Sequence, residues 1–359
     1  MVIMNNISII ICCGYESDSK NKELENDRLI KFTKCLLALN KLKFEGKDEV
    51  VISEFSSEPK LRKIASVILK PDNGLKMKYV WTNKAESEYF NQSVSKNAGT
   101  YISEGDIFYF INSDILLRSN ALQVIREEFG DEIDDKFCVC MRHDLFLRNE
   151  EVDNFISSEL NNDKNYHFTD EIKVQDPGWL YALDTLDIKY KVKIFTNSAY
   201  KEKMIHDFMS GYFVFGDCFA MSRNTFNKFP FDEKCMALTD VFSRDRIFNH
   251  NKNGYHLIFI QHKTACFHLS GEDYGAQTKV GSEKEKRLVA DQFYLMSKYE
   301  ELRHWAVFGY HKDFDFTLAQ WYTKEQIKEL IEKYRTPIYW QYFTDRKEFC
   351  QTYNVSEII

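Results

Sequence analysis

The triplet Asn112-Ser113-Asp114 follows the apolar run Ile107 to Ile111. Oxygen donors at the end of a strand can hold a divalent cation, Asp114 through its carboxylate and Asn112 through its side-chain carbonyl. The same triplet could instead make an Asx turn or cap a helix beginning near Asn120. Glu54, after Val50-Val51-Ile52, offers a second strand-end carboxylate that can accept hydrogen bonds from a ligand or stand solvated. Asp240 opens a helical pattern running to Phe248, where a carboxylate serves either as a general base or as a partner of the helix dipole. Arg246 lies nearly opposite it on that helix and reads equally well as an ion-pair residue. Asp217 stands between two strand-like runs, and Arg142-His143-Asp144 ends another. Among nine histidines, His268 stands out, after Ala265-Cys266-Phe267 and before Leu269-Ser270-Gly271, with His262 a near competitor. The default for a lone histidine is a hydrogen-bonded core residue.

The elements that must position these groups alternate. Ile7 to Cys13 reads as a buried strand, and Leu29, Phe32, Leu36 and Leu39 recur at helical steps. Val50 to Ile52 is a second strand, and Leu61, Ile64 and Ile68 mark a second helix. A turn at Pro71-Asp72-Asn73-Gly74 leads to a strand at Lys78 to Trp81, a helix over 86–102 and a fourth strand at Ile107 to Ile111. Strands apolar on both faces, separated by helices, predict an α/β fold with a Rossmann-like, mostly parallel sheet flanked by helices. Ligands of such sheets sit at the carboxyl ends of the strands, so Cys13-Gly14, Glu54 and Asn112-Ser113-Asp114 are expected to converge on one cleft. No Gly-x-Gly-x-x-Gly follows the first strand, which argues against a dinucleotide enzyme. Residues 145–200 read as a polar, irregular insertion. Strands are expected at Phe137 to Met141, Tyr212 to Phe215, Cys218 to Met221 and His256 to Ile260, and long helices at about 282–307 and 323–334.

Composition narrows the function classes. A net charge of −7 and the lack of a basic run disfavour nucleic acid as a partner. The apolar stretch at Ile7 is too short for a membrane span and has neither the basic leader nor the cleavage site of a signal peptide, which predicts a cytoplasmic protein. Nine cysteines form no spaced quartet; the closest pairs, Cys12-Cys13 and Cys138-x-Cys140, match neither a zinc knuckle nor a redox motif. An odd number on buried strands suits a reducing compartment.

Lys96-Asn97-Ala98-Gly99, Gly105-Asp106, the apolar strand and Asn112-x-Asp114 together resemble the donor-binding half of GT-A glycosyltransferases close to family 2. A second block, Gly216-Asp217-Cys218-Phe219-Ala220-Met221-Ser222-Arg223 followed by Phe226, Pro230-Phe231-Asp232-Glu233 and Asp240, resembles the acceptor side of the same enzymes. Two departures are Phe229-Pro230 where glycines are usual and Thr239 where a Glu often precedes the Asp. The resemblance covers about 7–270. It implies a GT-A domain over 1–270, with a nucleotide-sugar half at 1–117 and an acceptor half at 118–270, followed by a C-terminal helical extension at 271–359.

The resemblance also implies roles. Asp114 and His268 would hold a divalent cation, with Mn²⁺ favoured over Mg²⁺ because a nitrogen ligand suits the softer ion. Glu54, Lys96, Asn97, Asn112 and Asp217 would contact the donor, a UDP- or GDP-linked sugar. Asp240 would be the base of an inverting transfer to a glycan or glycolipid, and aromatic clusters of the C-terminal helices would allow peripheral contact with the inner face of a membrane. The rival readings are a sugar nucleotidyltransferase, which normally carries a Gly-rich basic loop after the first strand, and a catalytically silent glycan-binding subunit, which the Asn112 and Thr239 departures motivate.

Overall fold

The computed structural model describes residues 5–14, 22–70, 75–83 and 90–131, most of 133–160, 218–231 with 233, 264 with 266–269, and the short strands 174–175, 192–194, 256–259 and 356–358. The first half alternates as the apolar pattern requires: β1 (Ile7–Gly14), α1 (Lys22–Leu39), β2 (Glu49–Ser56), α2 (Leu61–Ile68), β3 (Lys76–Asn83), α3 (Gln92–Ile102) and β4 (Ile107–Asn112). There follow β5 (Ile115–Leu117), α4 (Ala121–Phe129), β6 (Lys136–Val139), β7 (Arg142–Leu145), α5 (Asn149–Ser158), β8 (Val174–Gln175) and β9 (Val192–Ile194). The remaining described elements are β10 (Cys218–Ser222), α6 (Arg223–Lys228), β11 (His256–Phe259), β12 (Cys266–Leu269) and β13 (Ser356–Ile358).

One nine-stranded sheet has the order β13-β3-β2-β1-β4-β10-β6-β11-β9, and a four-stranded sheet has the order β5-β12-β7-β8. In the large sheet β10 runs antiparallel to β4 and β6, and β13 antiparallel to β3, while the other pairings are parallel. The expected mostly parallel α/β sheet is thus present. The chain order reverses at β1, which has β2 on one side and β4 on the other; that reversal opens a crevice at the strands' carboxyl ends.

Alternation along the strands divides the core. Ile7, Ile9 and Ile11 of β1 join Tyr109 and Ile111 of β4 and the buried faces of α1 and α4. The opposite face carries Phe108, Phe110 and Phe219, which pack with Phe226 and Phe231. There α3 lies so close that a Cβ on Gly99 would come within 2.5 Å of Ile10, and in the turn after α3 one on Gly105 would come within 2.6 Å of the Ser8 nitrogen.

One expectation is corrected. The region 145–200 is not wholly irregular: α5 occupies 149–158, because Val152, Phe155 and Ile156 form an apolar stripe packed with Ala38, Leu116 and Phe267. The region 271–359 includes a strand, β13, which pairs along β3. The expected strand at Tyr212 to Phe215, the helix from Asp240 and the long helices at 282–307 and 323–334 lie outside the described residues. No helix among the described residues is long and apolar enough to cross a membrane.

At the amino end of the strands a polar network locks the frame. Glu49 accepts from Ser8 Oγ at 2.6 Å and pairs with Lys78 Nζ at 2.7 Å, both groups being buried, and Lys78 also donates to the Ile102 carbonyl at 3.2 Å. Removing one member of a buried ion pair strands the other's charge, at a cost of about 3–5 kcal/mol. Lys78→Ala is therefore expected to lower unfolding stability by about that amount, read as a drop in the urea midpoint.

Candidate functional site

β4 ends at Asn112, and a tight turn through Ser113 and Asp114 leads directly into β5. The triplet does not cap α4, whose N-cap residue is Asn120. β12 pairs antiparallel with β5, setting His268 opposite Ile115, and Leu269 N donates to the Asp114 carbonyl at 2.9 Å. This register brings His268 Nε2 to 3.3 Å from Asp114 Oδ2. The histidine is buried and the Asp114 side chain is 21% exposed, so the aspartate is the more exposed of the two.

The other oxygen decides what this pair can do. Asp114 Oδ1 is buried and has no hydrogen-bond partner among the described residues. A carboxylate oxygen left in that state costs free energy unless a cation or a donor meets it. Burial alone would push the Asp114 carboxyl up, but the hydrogen bond and charge of His268, with the charge of Lys31, hold it below its ordinary 3.8. Nearby, burial and then the Asp114 charge push the Cys35 thiol up. One carboxylate and one imidazole, with an unmet oxygen, fit the expected divalent cation; oxygen and nitrogen donors suit Mn²⁺.

Register places the expected cleft residues together. Cys13 lies opposite Glu54, and Cys12 opposite Asn112, at the carboxyl ends of β1, β2 and β4. Asn112 is half-buried there, its Oδ1 accepting from Gln92 Nε2 at 2.9 Å. Glu54 is fully buried, and its oxygens accept from Ser56 Oγ at 2.7 Å, Lys60 N at 3.0 Å, Leu61 N at 3.0 Å and Tyr79 Oη at 2.7 Å. A carboxylate has about four acceptor positions, and here they meet the Ser56 hydroxyl, the start of α2 and the Tyr79 phenol. Burial, then the Glu54 charge, pushes that phenol up, so it remains a donor.

Asn97 is likewise bonded within the protein. It is buried, its Nδ2 donates to the Phe231 carbonyl at 2.9 Å and to Glu233 Oε1 at 2.8 Å, and its Oδ1 accepts from Phe231 N at 3.2 Å. Lys96 is fully buried with its ammonium 5.2 Å from the Phe219 ring centre and 5.1 Å from that of Phe231, a cation–π setting. Arg223 donates to the Gly105 carbonyl at 2.6 Å and the Ser103 carbonyl at 2.9 Å. Asn91 Nδ2 reaches the Glu233 carbonyl at 2.8 Å. The two motif blocks are thus sewn to each other. Asp217 and Asp240 lie outside the described residues.

No family model matches the chain, and no curated protein matches it. Among solved structures it is similar to S. aureus TarS 1-349 in complex with UDP-GlcNAc, at 13% identity over 91% of this chain and 78% of that one, with a TM-score of 0.49. It is also similar to the same protein in complex with UDP, at 14% identity over 90% of this chain and 77% of that one, with a TM-score of 0.48. A third is the mannosyltransferase PcManGT from Pyrobaculum calidifontis in complex with GDP-Man and Mn²⁺, at 13% identity over 91% of this chain and 74% of that one, with a TM-score of 0.42.

The Asp114–His268 contact carries a pH signature. A carboxyl with a depressed folded value contributes stability above the ordinary carboxylate range and loses it as pH falls through the folded value. The melting-temperature gap between the native chain and Asp114→Asn is therefore expected to be constant well above pH 4 (about the unfolded value) and to close below it in thermal scans across acid pH. A gap that widens on acidification would contradict the pairing.

Proposed function

We propose that this chain is a glycosyltransferase that takes a sugar from a UDP- or GDP-linked donor and passes it to a glycan or glycolipid acceptor. The observation that carries the reading is the unmet, buried Oδ1 of Asp114 beside His268 at the carboxyl ends of β1 and β4. Asp114 and His268 are assigned as protein ligands of a divalent cation, Mn²⁺ in preference to Mg²⁺. When bound, that cation supplies positive charge to the diphosphate that departs from the sugar. Asn112, half-buried on the same rim, is assigned to the donor through its amide. Glu54, Lys96 and Asn97 act on the donor indirectly, by holding the rim in place.

The remaining assignments follow the resemblance of the second block. Asp240 takes the acceptor hydroxyl proton in an inverting transfer, since a single carboxylate suffices when the acceptor attacks opposite the leaving group. Asp217 meets hydroxyls of the donor sugar. The domain scheme is a donor half at 1–117, an acceptor half at 118–270 and an extension at 271–359, working on the cytoplasmic side of the membrane.

A thermal-shift screen of UDP- and GDP-sugars with and without Mn²⁺ tests the reading. A ligand held only by the native state, at roughly 100 times its Kd, stabilises by about 2.7 kcal/mol. The expected result is a metal-dependent rise with one nucleotide sugar, abolished by Asp114→Ala together with donor hydrolysis or transfer. A chain that shifts with no nucleotide, with or without Mn²⁺, would overturn the assignment. Unchanged turnover in Asp114→Ala would remove that residue from the metal site.

A further inference from the structure

Three cysteines distant in the chain meet in the core. Cys140 lies just beyond β6, Cys218 begins β10 and Cys266 begins β12; all are buried, and their sulfurs lie within 4.8 Å of one another. Cys140 N donates to the Cys218 carbonyl at 3.3 Å, so these two residues are strand neighbours within the large sheet. Cys266 belongs to the small sheet, and its thiol contacts the Cys140 carbonyl at 3.4 Å. The cluster therefore occupies the seam where the two sheets meet. The Tyr109 hydroxyl lies 3.0 Å from the Cys218 sulfur.

A single core thiol is a small apolar filler. Three thiols from three strands around one point also form a donor set. With metal–sulfur bonds of about 2.3 Å, three sulfurs around one ion lie about 4 Å apart. The observed spacing needs shifts of no more than about one ångström to reach that arrangement. Sulfur donors select soft d¹⁰ ions and disfavour Mg²⁺ and Mn²⁺, which prefer oxygen. The two donor sets of this chain would accordingly sort cations, Asp114 with His268 taking the harder ion and the thiols the softer.

We infer that Cys140, Cys218 and Cys266 form a binding site for a soft, thiophilic d¹⁰ cation that clamps the small sheet to the large one. Each metal–sulfur bond that forms breaks one S–H bond and releases its proton to solvent. Tyr109 supports the site by donating a hydrogen bond to the Cys218 sulfur, the kind of outer partner that orients a ligand. Because β12 carries both Cys266 and His268, the clamp also fixes the strand that presents the histidine.

The test uses Cd²⁺ as a spectroscopic probe of the full, reduced chain under anaerobic conditions, followed by desalting. The expected result is one Cd²⁺ retained per chain, with an ultraviolet sulfur-to-metal charge-transfer band and a raised melting temperature. Cys218→Ala and Cys140→Ser should each lose the band and the retained ion. Cys12→Ala should keep both, because Cys12 faces α3 beside Ser95 and Lys96. Two cluster variants are used so that misfolding of one, seen by circular dichroism, leaves the other to decide. A native chain that retains no cadmium overturns the inference, as does a band that survives in a natively folded cluster variant or vanishes in a natively folded Cys12→Ala.

Discussion

The hydrogen bond from Leu269 N to the Asp114 carbonyl, with the β5–β12 pairing it extends, is the contact on which the candidate chemistry depends. Side chains of a strand alternate between faces, so a slip of one residue in this register would turn His268 away from Asp114 and point Phe267 at it. The apolar burial of Phe267 against Phe155 resists such a slip. A packing preference on the core side thereby fixes a polar contact.

The same economy governs the large sheet. Its carboxyl ends hold half-buried polar groups that face outward, while its amino ends hold buried polar groups satisfied within the protein, such as Glu49 with Ser8 and Lys78. Glu54 belongs by position to the first set and by behaviour to the second, since the helix start beside it supplies the Lys60 and Leu61 N–H groups that it accepts. The aromatic face under α3 completes the frame, and Asn97 and Arg223 tie it to the segments on either side.

The strands of the first half were legible because each is a short apolar run between helical patterns. The convergence of Cys13, Glu54 and Asn112 was legible for the same reason. What could not be read was which polar residues point inward: Gly99 and Gly105 mark sites of close backbone approach, and their neighbours Asn97 and Asp106 hydrogen-bond within the protein, Asp106 to Asn6. α5 had a visible signal in Val152, Phe155 and Ile156, masked by the polar residues around it. The cysteine cluster was invisible to spacing, because a search for closely spaced ligands cannot see donors that strand pairing brings from three distant places.

β10 stands between β4 and β6, and its Cys218 lies 109 residues after Tyr109, the side chain it contacts. During synthesis β1 to β4 can assemble soon after they emerge, but the outer edge of β4, with the sequence Ile107-Phe108-Tyr109-Phe110-Ile111, has no partner until β10 arrives. At about 5–20 residues per second that edge waits for roughly 5–20 s, as a long apolar strand of the kind that pairs with other chains. The nascent protein therefore carries its greatest hazard of misassembly in the middle of translation, and the slow, non-local closure of β10 sets how long it must be sheltered.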